Sequence, residues 1–203
     1  MDTFMVVSEK LRQTLVQRRS LGQQRVQVIY NGIELDDFDP SCCGQLKKEL
    51  GLSPETPLIG GIGRMVWQKG FEHLIRAMPA VLEQEPQCRL LLVGKGEMQD
   101  ELQQLVAELG LLEHVVFGGF RSDMAEVLAS VDMVVVPSLR EGFPMITLEA
   151  MAMAKPIIAT DIDGTQEQID NHRHGILVQP GQSKSLAEAI PVVLLSGQKL
   201  CPS

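Results

Sequence analysis

From Leu58 onward, short apolar runs alternate with stretches in which apolar residues recur every three or four positions. The runs at 58–62, 89–93, 115–117, 133–136, 156–159 and 176–178 are rich in Val, Ile and Leu and are bounded by turn-forming residues, which predicts strands. Between them, the helical period predicts helices over 71–85, 97–109, 123–129, 145–154, 165–169 and 183–195. Strands with no polar face suit burial on both sides, as in a parallel sheet covered by helices. The predicted fold is therefore α/β, a Rossmann-like doubly wound parallel sheet forming a single domain. Ser122 or Asp123 is placed to cap the 123–129 helix and Ser183 the last one, while Gly110 is placed to stop the helix before it.

Upstream, residues 8–19 read as a mostly polar amphipathic helix and 26–30 as a strand. Asn31-Gly32 then forms a turn, and the stretch through Asp36-Asp37-Phe38-Asp39-Pro40 is irregular. The chain divides into a helix and linker at 1–25, the Rossmann-like domain at 26–197 and a frayed tail at 198–203.

Composition narrows the picture. With 203 residues, 44% of them apolar, the chain can bury one substantial core. A formal net charge of −8 argues against a nucleic-acid surface, so any phosphate site must be local. No apolar run approaches the roughly 20 residues of a membrane span, and the opening Met1-Asp2-Thr3-Phe4-Met5 lacks the basic and apolar segments of a leader. A soluble, cytoplasmic chain is expected. Cys42, Cys43, Cys88 and Cys201 lack paired metal spacing, so free thiols are expected. His172 and His174 read as a surface turn.

In open α/β sheets, ligands bind beyond the carboxyl ends of the strands. Three loops follow from that rule. The first, Gly61-Ile62-Gly63-Arg64 through Lys69-Gly70, offers two cations five positions apart. Arg64 supplies a planar fork and Lys69 a point charge for a diphosphate, while the glycines let backbone come close; the alternative is a glycine turn with solvated charges. The second, Gly94-Lys95-Gly96, either admits a base or ribose or is a tight turn. The third runs from Pro137-Ser138 to Glu141-Gly142. Phe120, after another strand, either stacks on a base or packs on the sheet. Asp132 reads as a capping or turn residue, and Met145, Met151 and Met153 as packing for the helix that carries Glu149.

The third loop opens the run Glu141-Gly142-Phe143-Pro144-Met145-Ile146-Thr147-Leu148-Glu149, with two carboxylates eight positions apart around a Gly-Phe-Pro corner. Pro144 suits the first helical position, so free N–H groups point out of the corner and attract anions. Glu149 lies about one turn inside the helix, about 6 Å along its axis, and Glu141 stays in the loop. Two hydroxyl-rich rings flanking a diphosphate fit this layout, because carboxylates accept hydrogen bonds from hydroxyls. The dinucleotide fingerprint fails at Val66, where its third glycine belongs, and no acidic residue closes the next strand. No P-loop sequence is present.

Together, Asn31-Gly32-Ile33 with Phe38 and Pro40, Gly63-Arg64 with Lys69-Gly70, Leu92-Val93-Gly94-Lys95-Gly96, Pro137-Ser138, and Glu141 to Glu149 followed by Ala150-Met151-Ala152 resemble the retaining, family-4-like glycosyltransferases of GT-B architecture. The resemblance covers most of the chain. It implies that Arg64 and Lys69 contact the donor diphosphate, Glu149 the ribose hydroxyls, and Glu141 with the backbone of Gly142, Phe143, Pro144 and Met145 the transferred sugar. Gly61, Gly63, Gly94, Gly96, Phe120, Ser138 and Ile146 complete the expected nucleotide-sugar site, and Glu141, Arg64 and Lys69 are the expected catalytic residues. No metal and no cofactor is implied; the donor substrate would be a UDP-, GDP- or ADP-sugar.

Two departures stand out. Asp163-Gly164-Thr165 replaces the family's Gly-Gly pair, which puts the backbone facing the sugar in question. The chain also begins where the family's second domain begins, so an N-terminal acceptor domain, or a partner chain, is expected as its counterpart. The implied function is a donor domain for polysaccharide or glycolipid synthesis, nearly inactive alone, with peripheral membrane association open for the full enzyme. A nucleotide-sugar binding module or split-enzyme subunit, and a GT-B epimerase or phosphorylase, remain alternatives.

Overall fold

A computed structural model describes residues 3–19, 22–41, 44–171 and 173–196. Cys42, Cys43, Cys201, His172 and the predicted tail at 198–203 lie outside the described residues. The elements run β1 (Phe4–Val6), α1 (Glu9–Arg19), β2 (Val26–Val28), α2 (Leu46–Glu49), β3 (Leu58–Ile62), α3 (Phe71–Gln84), β4 (Arg89–Val93), α4 (Gln99–Glu108), β5 (Val115–Gly119), α5 (Met124–Ser130), β6 (Met133–Val136), α6 (Met145–Ala152), β7 (Ile157–Thr160), α7 (Asp163–Gln166), β8 (Ile176–Val178) and α8 (Ser183–Ser196).

Six strands form one all-parallel sheet in the order β5-β4-β3-β6-β7-β8. Strand order reverses between β3 and β6, and this switch point opens the crevice in which such sheets take ligands. The alternation of side chains builds two cores. Ile59, Leu90, Leu92, Met133, Val135 and Ile158 face α3, α4 and α8. Their neighbours Leu58, Leu91, Val93, Val134, Val136, Ile157 and Ala159 face α2, α5 and α6. Each fully buried Leu or Ile contributes roughly 1.5–3 kcal/mol, so truncating a central residue such as Leu92 is a severe change.

Most predicted elements are present, with shifts of one or two residues at their ends. The C-terminal end of α4 follows the expected device: Gly110 takes a left-handed φ of 68°, and the Leu111 N–H donates to the Val106 carbonyl. Asp123 does not cap α5 with its side chain. Its carboxylate is drawn instead to the Arg121 guanidinium, a charge-assisted pair stronger than a neutral cap. The 165–169 helix forms earlier, as α7, because Thr165 Oγ1 accepts from the Ile162 N–H and closes a turn ahead of it.

The predicted strand at 26–30 pairs not with the main sheet but with β1, which periodicity over three residues could not reveal. The main sheet therefore begins at β3 rather than at residue 26. No helix among the described residues is long and apolar enough to cross a membrane.

Candidate functional site

The loops after β3, β4 and β6 interlock through backbone. Gly63 N–H donates to the Val93 carbonyl at 2.9 Å, and Met65 N–H to the Lys95 carbonyl at 3.0 Å. A Cβ on Gly94 would meet the Gly63 carbonyl oxygen at 1.9 Å, and one on Gly96 the Met65 carbonyl oxygen at 2.2 Å. These two glycines let one loop lie on the other, which is the tight-turn alternative for this segment. Leu139 N–H donates to the Gln68 carbonyl at 2.7 Å and a Cβ on Gly70, where φ is 62°, would strike the Pro137 carbonyl, so the β6 loop is bound to the same layer. A Cβ on Gly164 would contact the Glu141 and Gly142 backbone at 2.9 Å, which brings the loop after β7 into the assembly.

This assembly and α1 enclose a cleft of about 620 Å³. Arg64, Lys69, Glu141 and Gly142, all sequence-predicted site residues, line it with Gln68, Arg140, Asp161 and Asp163. Lys69 Nζ contacts the Glu141 carboxylate, and Ser138 Oγ donates to the same oxygen at 3.1 Å. Ser138 is fully buried, so it orients Glu141 from beneath. Arg64 is exposed and has no side-chain partner among the described residues.

Glu149 stands one turn inside α6, outside the lining of that cleft, half-buried and without a side-chain partner among the described residues. Burial pushes its carboxyl pKa above the ordinary value. A half-buried carboxyl with a raised pKa and no partner is the kind of group that marks a candidate functional site. Phe120 is 71% exposed at the end of β5, so the sheet-packing alternative does not hold for it.

Several predicted contacts fall elsewhere. Gly61 is buried in β3, where a Cβ would meet Leu92 at 2.7 Å, together with Leu74 and Phe71; its place is in the core, not the cleft. Ile146 has its side chain in the core, leaving only its backbone for a ligand. Pro144 is the residue before the first helical position, which Met145 takes. The Phe143 ring faces Tyr30, with centroids 5.3 Å apart. Met153 is buried as expected, but Met145 is exposed. Asp132 acts structurally, accepting from the Leu58 N–H at 2.7 Å and Lys47 Nζ at 2.8 Å.

The structure adds contacts that the sequence reading did not assign. The Asn31 amide donates to the Phe143 carbonyl at 3.1 Å and the Gln168 amide to the Pro144 carbonyl at 3.0 Å, pinning the corner from two sides. The Glu167 carboxylate accepts from the Glu9 and Lys10 N–H groups at 2.9 and 2.8 Å and seats the N-terminus of α1. Ser8, Leu11, Thr14 and Arg18 then form the opposite wall of the cleft. Their spacing of three or four was the available signal, in a helix otherwise read as a linker.

The family model for group 1 glycosyl transferases matches residues 44–201. The chain is 35% identical over 196 residues to an uncharacterized glycosyltransferase of Methanocaldococcus jannaschii, covering 94% of this chain and 50% of that protein. It is 30% identical over 196 residues to the D-inositol 3-phosphate glycosyltransferase of Nocardia farcinica, covering 92% and 43%. The chain thus spans about half the length of the curated relatives it matches. The fold superposes with a TM-score of 0.88 and 30% identity on the Anabaena protein Alr3699/HepE in complex with UDP-glucose, covering 98% of this chain and 56% of that one. The chain belongs to the group 1 glycosyl transferases, and its six-stranded sheet matches the C-terminal domain of the GT-B architecture.

Proposed function

We propose that this chain is the donor-binding half of a glycosyltransferase, holding a nucleoside-diphosphate sugar whose sugar passes to an acceptor hydroxyl with retention and without a metal. The observation that carries this reading is the convergence of Arg64, Lys69 and Glu141, from loops far apart in sequence, on one cleft at the switch point. Arg64 and Lys69 hold the diphosphate and stabilise negative charge on the departing nucleotide. Glu141 orients the sugar hydroxyls with the backbone at Gly142 to Met145. Glu149 accepts hydrogen bonds from the ribose, and Phe120 flanks the base. The Anabaena relative, solved with UDP-glucose, supports a donor of this class.

The acceptor enters from the α1 side. β1 and β2 form a two-stranded parallel sheet with Phe4 and Met5 exposed, whereas parallel sheets are normally covered. This edge supports the reading that an acceptor-binding domain or partner chain completes the enzyme, and that the donor half alone is nearly inactive. It also favours a transferase half over a self-sufficient binding module.

Calorimetric titration with UDP, GDP, ADP and their glucose conjugates tests the donor site. One nucleoside diphosphate should bind, and Arg64→Ala with Lys69→Ala should weaken it by about 1.5–3 kcal/mol per lost charged contact. Binding unchanged by both substitutions would contradict the proposal.

A further inference from the structure

The stretch after β7 carries two features that the cleft leaves unexplained. Asp163-Gly164-Thr165 stands in place of a Gly-Gly pair, and Gln168 Oε1 is buried with no hydrogen-bond partner among the described residues. Both belong to one turn. α7 spans Asp163–Gln166, and the N–H groups of Gln168 and Ile169 both donate to the Thr165 carbonyl, at 3.0 and 2.9 Å, so Gln168 sits on the turn that ends the helix. Thr165 is fully buried and its hydroxyl donates to the Thr160 carbonyl, which anchors the turn at the end of β7. Four positions apart, Gly164 and Gln168 then touch the corner that follows Glu141. A Cβ on Gly164 would lie 2.9 Å from the Glu141 carbonyl oxygen, so the corner rests directly on the α7 backbone, and Gln168 Nε2 donates to the Pro144 carbonyl at 3.0 Å.

That bond fixes a direction. A trans peptide holds its C=O and N–H on opposite sides of one plane, so a Pro144 carbonyl held by Gln168 turns the Met145 N–H the other way, out of the first turn of α6. Met145 is the first helical residue, and its N–H has no acceptor within the helix. Asn31 clamps the preceding peptide through the Phe143 carbonyl at 3.1 Å. Only the nitrogen of an amide donates to a carbonyl, so Gln168 serves Pro144 with its own oxygen buried and unmatched, an arrangement that an apolar side chain of the same length would avoid. The amide thus weakens the fold locally while it holds the corner. Gln168 itself lies outside the lining of the cleft, so it acts through the backbone it grips. Resting on the donor reading above, which gives the sugar to the backbone from Gly142 to Met145, we infer that Gln168 is a positioning residue of the donor site, aiming the Met145 N–H at the sugar-bearing end of the donor.

The test compares the whole chain with its Gln168→Met variant, which keeps the unbranched length of the side chain and removes both the donor and the unmatched oxygen. Amide hydrogen exchange of the unliganded proteins, read by mass spectrometry, should run about fivefold faster in the variant over residues 141–149 and alike elsewhere. The urea midpoint should stay level or rise, because a buried unpaired oxygen is gone. Titration calorimetry uses whichever of UDP, GDP and ADP binds most tightly, together with its glucose conjugate. The ratio of conjugate affinity to free diphosphate affinity should fall about fivefold in the variant, with the free diphosphate itself held within about twofold. A purely structural Gln168 predicts the opposite set, a lower urea midpoint with both ligands weakened together, and that result would overturn the inference. Unchanged exchange over 141–149, or an unchanged affinity ratio, would overturn it as well and leave the donor reading standing. Nucleotide binding indifferent to Arg64→Ala and Lys69→Ala would instead remove the donor reading itself, while the exchange data would still report the grip of Gln168 on the corner.

Discussion

The Lys69 ammonium rests against the Glu141 carboxylate across a sequence separation of 72 residues. Both side chains are largely buried, at 19% and 16% exposure, and Ser138 fixes the carboxylate from below. The cation and the carboxylate therefore neutralise one another within the cleft, and under the proposed donor reading a bound donor would exchange that pairing for its own contacts.

This relationship separates the two residues by experiment. Glu141→Gln frees Lys69, so the free nucleoside diphosphate should bind as tightly as to wild type or tighter, whereas the sugar-bearing donor should weaken by about tenfold. Lys69→Ala should weaken both. Calorimetry with UDP and UDP-glucose reads the split, and an equal loss of UDP binding in both variants would contradict the division of roles.

Glu149 links binding to stability. Its folded pKa is raised by burial above the ordinary 4.5, so the folded chain holds this proton more tightly than the unfolded chain. Stability from that proton is present below the ordinary value and is lost as pH climbs through the folded one. Glu149→Gln should therefore raise the melting temperature of the unliganded protein near about pH 7, with the gap closing toward about pH 4, while nucleotide affinity falls. Calorimetric melting at both pH values checks this; an unstabilised variant at neutral pH would remove burial as the cause.

Gly94 is expected to tolerate no side chain. Its φ of 135° and the 1.9 Å approach to the Gly63 carbonyl mean that Gly94→Ala must part the β3 and β4 loops. A loss of about 1–3 kcal/mol in urea unfolding, together with loss of donor binding, is expected. Gly32→Ala, where nothing lies within 4 Å, serves as the comparison and should cost far less.

Cys88 should be inert. Burial first, and then the nearby Glu85 and Asp132 charges, push its thiol up to about 12, leaving it protonated at neutral pH. Peptide mapping after iodoacetamide treatment should find Cys88 unmodified in the folded chain and fully alkylated in urea. Labelling at the unfolded rate without denaturant would contradict its burial.

The strands from β3 to β8 were legible because a doubly covered strand must be apolar on both faces, a demand that leaves continuous Val, Ile and Leu runs. Arg64, Lys69, Glu141 and Gly142, which line one cleft, stood out in the sequence as glycines and charges at strand ends, where sheets of this kind take ligands. Short elements were not. β1 and α2 span three and four residues, too few for a period to register. The partner of β2 was hidden because pairing is a property of two segments, and neither states its neighbour.

Gly61 and Gly94 show where local reading stops. Both sit in glycine-rich runs at a strand end, yet Gly61 makes room for Leu92 in the core and Gly94 makes room for another loop's backbone. Periodicity and residue chemistry, which act over a few neighbours, determined the sheet and its helices and marked the loops in which the candidate site lies. Only the tertiary structure decided that α1 lines the cleft and that Glu141 is held by Lys69. Those relationships depend on segments brought together by burial of distant apolar faces, and no single stretch of sequence carries them.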